Sequence, residues 1–248
     1  MGRRRPINER FKRPIHQAAI KAGTQIRALG PAGKGTRRGL LHVLDNVCHA
    51  TGKKPQDIRV LELGAGSGRL ANALIKKEHI KPENYVLGDI VYGTHEAPAL
   101  KKKVFLNAKK GKTKVLPMDV FGRPGEIGKF HVIAVPFVLG KPKWLKAMLD
   151  NYFEKLAPGG IMVVGSSQYS SAAIRQLTEK VARNPFMTAE QLSPQERETL
   201  ALLNKIHELQ QKGEIEPYTN PEQFFHSTAL KEMPMLTFLI QKKSPTNH

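Results

Sequence analysis

The sequence predicts an α/β fold, a doubly wound and mostly parallel sheet with helices on both faces. Three observations carry that prediction. From Gly39 onward, short apolar segments alternate with segments of helical spacing. The short segments are apolar almost throughout, as strands buried on both faces must be. A glycine-rich turn stands between the first of these strands and the helix that follows it.

The elements follow in order. "GLLHVLDNVCHA" has helical spacing, with Cys48 among Leu40, Leu41, Val43, Leu44 and Val47 on an apolar face. "RVLELG" is a strand and "SGRLANALIKK" a helix. "NYVLGDI", "TKVLPMDV" and "FHVIAVPF" are three more strands, and "PKWLKAMLDNYFEKL" is an amphipathic helix. "APGG" turns into the strand "IMVVGS", and "SSAAIRQLTEKVA" is a helix. In "SPQERETLALLNKIHELQQKG", Ser193 caps a helix, Pro194 suits its first turn, and Glu196 completes a capping box. Leu200, Leu203, Ile206 and Leu209 form its apolar stripe, and Gly213 ends it. "MLTFLIQKK" is a last strand.

Before this alternation, "PIHQAAIKAGTQIRAL" reads as a short helix and "GPAGKGTRRG" as a loop. The loop is not a phosphate-binding P-loop, because Gly35 is followed by Thr36 and Arg37 rather than by Lys and Ser or Thr. The expected division is a basic extension over 1–38, a domain over 39–241 and a tail over 242–248. Within the domain, 184–216 is a helical insertion placed to act as a substrate lid.

Charge is the largest compositional signal. Forty Lys and Arg stand against 21 Asp and Glu, a net charge of +19. Through Arg38 there are eleven basic residues and one acid, Glu9; Arg3, Arg4 and Arg5 open the run. "KKKVFLNAKKGKTK", beginning Lys101, Lys102, Lys103, has seven lysines and no acid. Such blocks favour polyanions, namely RNA, DNA or an anionic membrane surface, against the plainer reading of a solvated face. No apolar run approaches the ~20 residues of a membrane-spanning helix. The Arg-rich start lacks the apolar core of a secretory signal. It suits a nucleic-acid-binding arm or an organelle-import segment; a cytoplasmic location is the expectation. One cysteine, Cys48, excludes an internal disulfide and a cysteine-built zinc site.

"LELGAGSGRLA" carries the chemistry. Its glycines, Gly64, Gly66 and Gly68, are spaced G-x-G-x-G. A dinucleotide fingerprint would need a small residue where Arg69 stands. A tight turn of this kind lets the backbone approach an uncharged cofactor tail closely. With "YVLGDI", "LPMDVF" and "LAPGGIMVVG" downstream, the chain from about Val60 to Gly165 resembles the class I S-adenosylmethionine-dependent methyltransferases. That resemblance implies a Rossmann-like doubly wound, mostly parallel seven-stranded sheet and S-adenosyl-L-methionine as cofactor. It gives Glu62 the task of orienting the glycine loop near the methionine end. It places Asp89 on the ribose diol, where one carboxylate accepts from two hydroxyls. Asp119 falls beside the adenine amino group, with Val120 against the ring. Ala65, Ile90 and Ala134 complete the implied cofactor set with Gly64, Gly66 and Gly68.

The acceptor side is sparser. "AVPF" keeps the Pro136 and Phe137 of the exocyclic-amine methyltransferases, close to the form of the ribosomal RNA adenine dimethylases. It has Ala134 where those enzymes have a polar residue. Phospholipid N-methyltransferases look similar here and also lack it. Cys48 precedes the glycine loop, which argues against pyrimidine C5 methylation. The absence of Asp from "VIAVPFVLG" argues against one ribose 2′-O-methylating group. His131 reads as a strand-edge residue, and no catalytic residue is assigned. The expectation is methyl transfer to RNA, with Phe137 stacking on a base beside Pro136 and the arginine and lysine blocks holding phosphates. The alternatives are a lipid, protein or small-molecule amine as acceptor, or a non-catalytic RNA-binding assembly factor.

Overall fold

The computed structural model describes residues 31–66, 68–77, 80–93, 112–135, 142–166, 171–184, 186–215 and 236–244. Its elements are α1 (Pro31–Thr51), β1 (Val60–Leu63), α2 (Arg69–Lys77), β2 (Tyr85–Gly88), β3 (Lys114–Leu116) and β4 (Phe130–Val135). Then come α3 (Pro142–Tyr152), β5 (Leu156–Ser166), α4 (Ser171–Arg183), α5 (Pro194–Gln211) and β6 (Leu236–Gln241).

The α/β fold is as predicted, with six strands rather than seven among the described residues. Their order is β3-β2-β1-β4-β5-β6. All neighbours run parallel except β5 and β6, which are antiparallel. Strand alternation explains why the strands read as continuous apolar runs: each face is buried under its own helices. Val60, Leu87, Val132, Ala134, Ile161 and Val163 meet Leu40, Val43, Leu44 and Val47 of α1 and Ala71, Leu74 and Ile75 of α2. On the opposite face, Leu61, Leu63, Ile133, Val135, Met162 and Val164 meet Leu145, Met148 and Leu149 of α3, Ile174 of α4 and Leu202, Ile206 and Leu209 of α5.

Three sequence expectations need correction. The stretch read as a glycine-rich loop is the first half of α1, which begins at Pro31. Glycines disfavour a helix by about 1 kcal/mol each, but Pro31 suits the first turn and the buried second half of α1 anchors the rest. In α5 the capping box is present, with Ser193 Oγ accepting from the Glu196 amide at 3.2 Å and Glu196 accepting from the Ser193 amide at 2.7 Å. The buried stripe, however, is Thr199, Leu202, Ile206 and Leu209. Leu200 and Leu203 lie at its half-buried flanks.

The third correction concerns "APGG", which lies inside β5 and not before it. Phe130 pairs with Leu156 and Val132 with Ile161, so β5 bulges against β4. Gly160 makes the bulge feasible, since a Cβ there would lie 2.8 Å from the Ala157 carbonyl and 3.0 Å from that of His131. Backbone atoms cannot yield as a side chain can. Gly160→Ala is therefore expected to destabilise the fold by about 1–3 kcal/mol, read as a lower urea midpoint at unchanged m-value. An unaltered midpoint would refute this account of the bulge.

Candidate active site

In a parallel sheet of this order, the chain leaves β1 toward β2 on one side, while β4 lies on the other. The carboxyl ends of β1 and β4 flank this switch point, where doubly wound folds open a crevice. The glycine turn lies there. Gly64, Gly66 and Gly68 all have positive φ, at 71°, 53° and 69°. Residues with a Cβ rarely adopt that conformation, so the spacing seen in the sequence is a backbone requirement. A Cβ built on Gly64 meets nothing within 4 Å, so the loop has open space on that side.

What fixes the turn comes from β2. The Gly64 and Ala65 amides donate to the Gly88 carbonyl at 2.8 and 3.3 Å. The Gly66 amide donates to Asp89 Oδ2 at 2.8 Å. Tyr92 donates its hydroxyl to the Gly66 carbonyl at 2.6 Å. Asp89 is 8% exposed at the end of β2, and Ile90 follows it, half-buried, in a short 3-10 turn.

Glu62 lies beneath the turn, 2% exposed, and Tyr85 donates its hydroxyl to Glu62 Oε2 at 2.8 Å. Burial pushes the Glu62 carboxyl up to about 8; the Tyr85 hydrogen bond opposes this and the charge of Asp89 adds to it. Burial, with Asp89 and Glu62 nearby, likewise keeps the Tyr92 hydroxyl protonated and donating.

The third acid, Asp119, lies half-buried in the turn after β3. Asp119 Oδ1 accepts from the Phe121 amide at 2.9 Å, and its carbonyl accepts from Gly122 at 2.9 Å. The turn is also tied to α3. Tyr152 donates to the Asp119 carbonyl at 3.0 Å, and Asn151 Nδ2 to the Phe121 carbonyl at 3.0 Å. Phe121 and Trp144 stack with ring centroids 5.2 Å apart. Val120 is half-buried beside Asp119.

Of the residues predicted from sequence, the structure gathers Glu62, Gly64, Ala65, Gly66, Gly68, Asp89 and Ile90 around the β1 and β2 ends. Asp119 and Val120 stand at the end of neighbouring β3. Ala134 is fully buried, in register with Glu62 and Val163 inside the core shared with α1 and α2, and does not line an opening. His131 stands at the opposite end of β4, where its Nδ1 accepts from the Arg59 amide at 2.9 Å. Burial, Lys53 and Arg59 hold its pKa below the ordinary value, so it is a neutral structural acceptor. Arg3, Arg4, Arg5, Lys101, Lys102, Lys103, Pro136 and Phe137 lie outside the described residues.

Sequence reading missed Tyr85, Tyr92, Asn151 and Tyr152. The two tyrosines flank Asp89 in sequence, a weak local signal; the α3 pair touches the turn only through the fold. Among the described residues, no group of three or more His, Cys, Asp or Glu could hold a metal ion, and no helix is long and apolar enough to cross a membrane.

A methyltransferase-domain family model matches residues 36–233, most of the chain, and the chain belongs to that family of transferases. Its fold is that of the class I S-adenosyl-L-methionine-dependent methyltransferases. A structure from Methanococcus maripaludis, assigned to the S-adenosyl-L-methionine-dependent methyltransferases, superposes with a TM-score of 0.52 at 14% identity, over 100% of both chains. The plantazolicin methyltransferase BpumL, solved in complex with SAH, gives 0.51 at 12% identity, covering 96% of this chain and 93% of that one. In sequence, the chain is similar to the hybrid PKS-NRPs synthetase opdA of Penicillium oxalicum, 28% identical over 126 residues. That match takes in 51% of this chain but 3% of the synthetase.

The raised Glu62 pKa sets a pH dependence. Folded Glu62 holds a proton up to about pH 8, whereas an unfolded glutamate releases it near 4.5. Between those values the unfolded state binds fewer protons, so this group's contribution to stability falls as pH rises. Glu62→Gln retains an acceptor for Tyr85 and cannot ionise. Urea unfolding at pH 5 and pH 9 should show the wild type losing on the order of a few kcal/mol relative to the variant. Parallel pH profiles would show that Glu62 ionises normally.

Proposed function

We propose that S-adenosyl-L-methionine binds over the glycine turn and that the methyl acceptor is RNA. The observation that carries the cofactor reading is the Asp89–Gly66 hydrogen bond at 2.8 Å. It fixes a carboxylate against the glycine turn, where a Cβ on Gly64 would meet nothing within 4 Å. The donor set suits the group. Asp89 and Ile90 would take the ribose and the region beside it. Asp119 and Val120 would take the adenine. Glu62 would support Gly64, Ala65, Gly66 and Gly68 at the methionine end.

The cofactor, when bound, supplies an electrophilic methyl on a sulfonium sulfur. The protein's work is to hold the acceptor in line with it and to exclude water. Alignment alone supplies a large part of the rate in such displacements. A site without an assigned base is therefore compatible with turnover, and His131 is not needed as one.

Charge supports RNA. A net charge of +19, concentrated in the arginine run before Arg38 and the lysine block from Lys101, suits phosphate contacts. Pro136 and Phe137 would border the base. A small-molecule acceptor is the second reading. It is favoured by the similarity to a PKS-NRPs synthetase and to a plantazolicin methyltransferase.

Incubation with methyl-labelled S-adenosyl-L-methionine and separate RNA, protein, lipid and small-molecule fractions tests the acceptor. Label in RNA supports the first reading; label confined to small molecules supports the second. RNA affinity should fall on the order of 10³-fold between 50 and 200 mM salt. Removal of residues 1–30, which stops short of α1, should flatten that dependence; an unchanged slope removes the arm from RNA binding. Asp89→Asn keeps an acceptor for Gly66 and loses the charge. It should weaken calorimetric cofactor affinity roughly 10-fold or more, and an unchanged affinity would refute the ribose assignment.

A further inference from the structure

The turn that carries Asp119 depends on another element for its shape. Its own sequence supplies two local bonds, from the Phe121 amide to Asp119 Oδ1 and from the Gly122 amide to the Asp119 carbonyl. Pro117 and the short β3, which pairs with β2, precede it. The Met118 amide donates to the Asp89 carbonyl at 3.2 Å, and three side chains of α3 add further contacts. Trp144, in the first turn of α3, stacks on Phe121. Asn151 and Tyr152, in its last turn, donate to the carbonyls of Phe121 and Asp119. About 12 Å of helix separates Trp144 from Tyr152, so the turn is held at both ends of α3.

The two donors are well suited to fix a backbone. Tyr152 is fully buried, and burial beside Asp119 keeps its hydroxyl protonated well beyond the physiological range. Met148, Leu149 and Leu145 lock α3 itself into the core. A donor on a packed helix cannot follow the turn if the turn moves.

We propose that Asn151 and Tyr152 are positioning residues for purine recognition: by holding the carbonyls of Phe121 and Asp119 they aim the Asp119 carboxylate, and so set the preference for a 6-amino over a 6-oxo purine. This rests on the reading of Asp119 as the adenine-side acid. The helix also begins at Pro142, directly after the 136–141 segment that carries Pro136 and Phe137. One rigid element thus stands behind the adenine turn and follows the acceptor-side segment in the chain.

The test is calorimetric titration of the full chain with S-adenosylhomocysteine and with S-inosylhomocysteine, for wild type, Tyr152→Phe and Asn151→Ala. The wild type should bind the adenosyl form more tightly. Each variant should lose that preference roughly 3- to 10-fold, through weaker adenosyl binding at unchanged inosyl binding. Equal weakening of both ligands would mean that the two residues only stabilise the fold, and would overturn the proposal. Unchanged binding of both would overturn it as well. A wild type that binds both forms equally would overturn the Asp119 reading beneath it, and a wild type that binds neither would overturn the cofactor reading. If Tyr152→Phe does not fold, the half-buried Asn151 carries the test alone.

Discussion

The cofactor half of this protein depends on two residues, Gly88 and Asp89. The Gly88 carbonyl takes the first two amides of the glycine turn, and the Asp89 side chain takes the third. The Asp89 amide reaches back to the Leu116 carbonyl of β3, and the Asp89 carbonyl accepts from Met118. Three chain segments are therefore fixed at one strand end. Gly88 permits it by having no side chain: a Cβ would lie 2.9 Å from both Leu63 and Met118. Any change that moves this strand end displaces the glycine turn and the Asp119 turn together.

That hub explains the electrostatics beneath it. Glu62 and Asp89 are both buried and close enough to repel. Asp89 accepts the Gly66 amide, while Glu62, buried and beside Asp89, holds its proton. Charge elsewhere matters less. The pairs Lys146–Asp150, Lys205–Asp150 and Lys143–Glu198 lie around α3 and α5 with their side chains partly exposed, and surface ion pairs contribute ~0–1 kcal/mol. Leu202, Ile206 and Leu209 packed on α3 are what hold α5 in place.

Features of the sequence that are local were legible, and features made by the fold were not. The glycine spacing reports a backbone conformation, so Gly64, Gly66 and Gly68 could be identified without coordinates. So could the Ser193–Glu196 cap, whose partners are three residues apart. The extent of α1 could not be, because its glycine-rich start is held by burial further along. The phase of the α5 stripe failed for a related reason: five leucine or isoleucine positions fit more than one face, and only contact with α3 and the sheet selects Leu202. Tyr85 and Tyr92 were invisible as site residues, because their hydroxyls matter only once β2 lies beside β1. Ala134 was read from a motif position, whereas strand alternation turns it into the core.

The placement of Ala134 also bears on why the strand leading to the acceptor lacks a polar residue. Ala134 stands between Glu62 and Val163 on the face covered by α1 and α2. A polar side chain there would be buried beside the Glu62 carboxyl, in a core otherwise lined by apolar groups of α1 and α2. Burying an unpartnered polar group costs ~1–3 kcal/mol, and a methyl avoids that cost. The neighbouring Val135 faces the other core and is equally closed. No described side chain of β4 beyond His131 thus carries a polar group. Under the proposed function, chemistry on the acceptor side would come from residues other than those of β4. For a displacement that depends on alignment more than on proton transfer, that division of labour is sufficient. In the proposed reading, the strand ends would hold the cofactor and segments other than β4 would choose what is methylated.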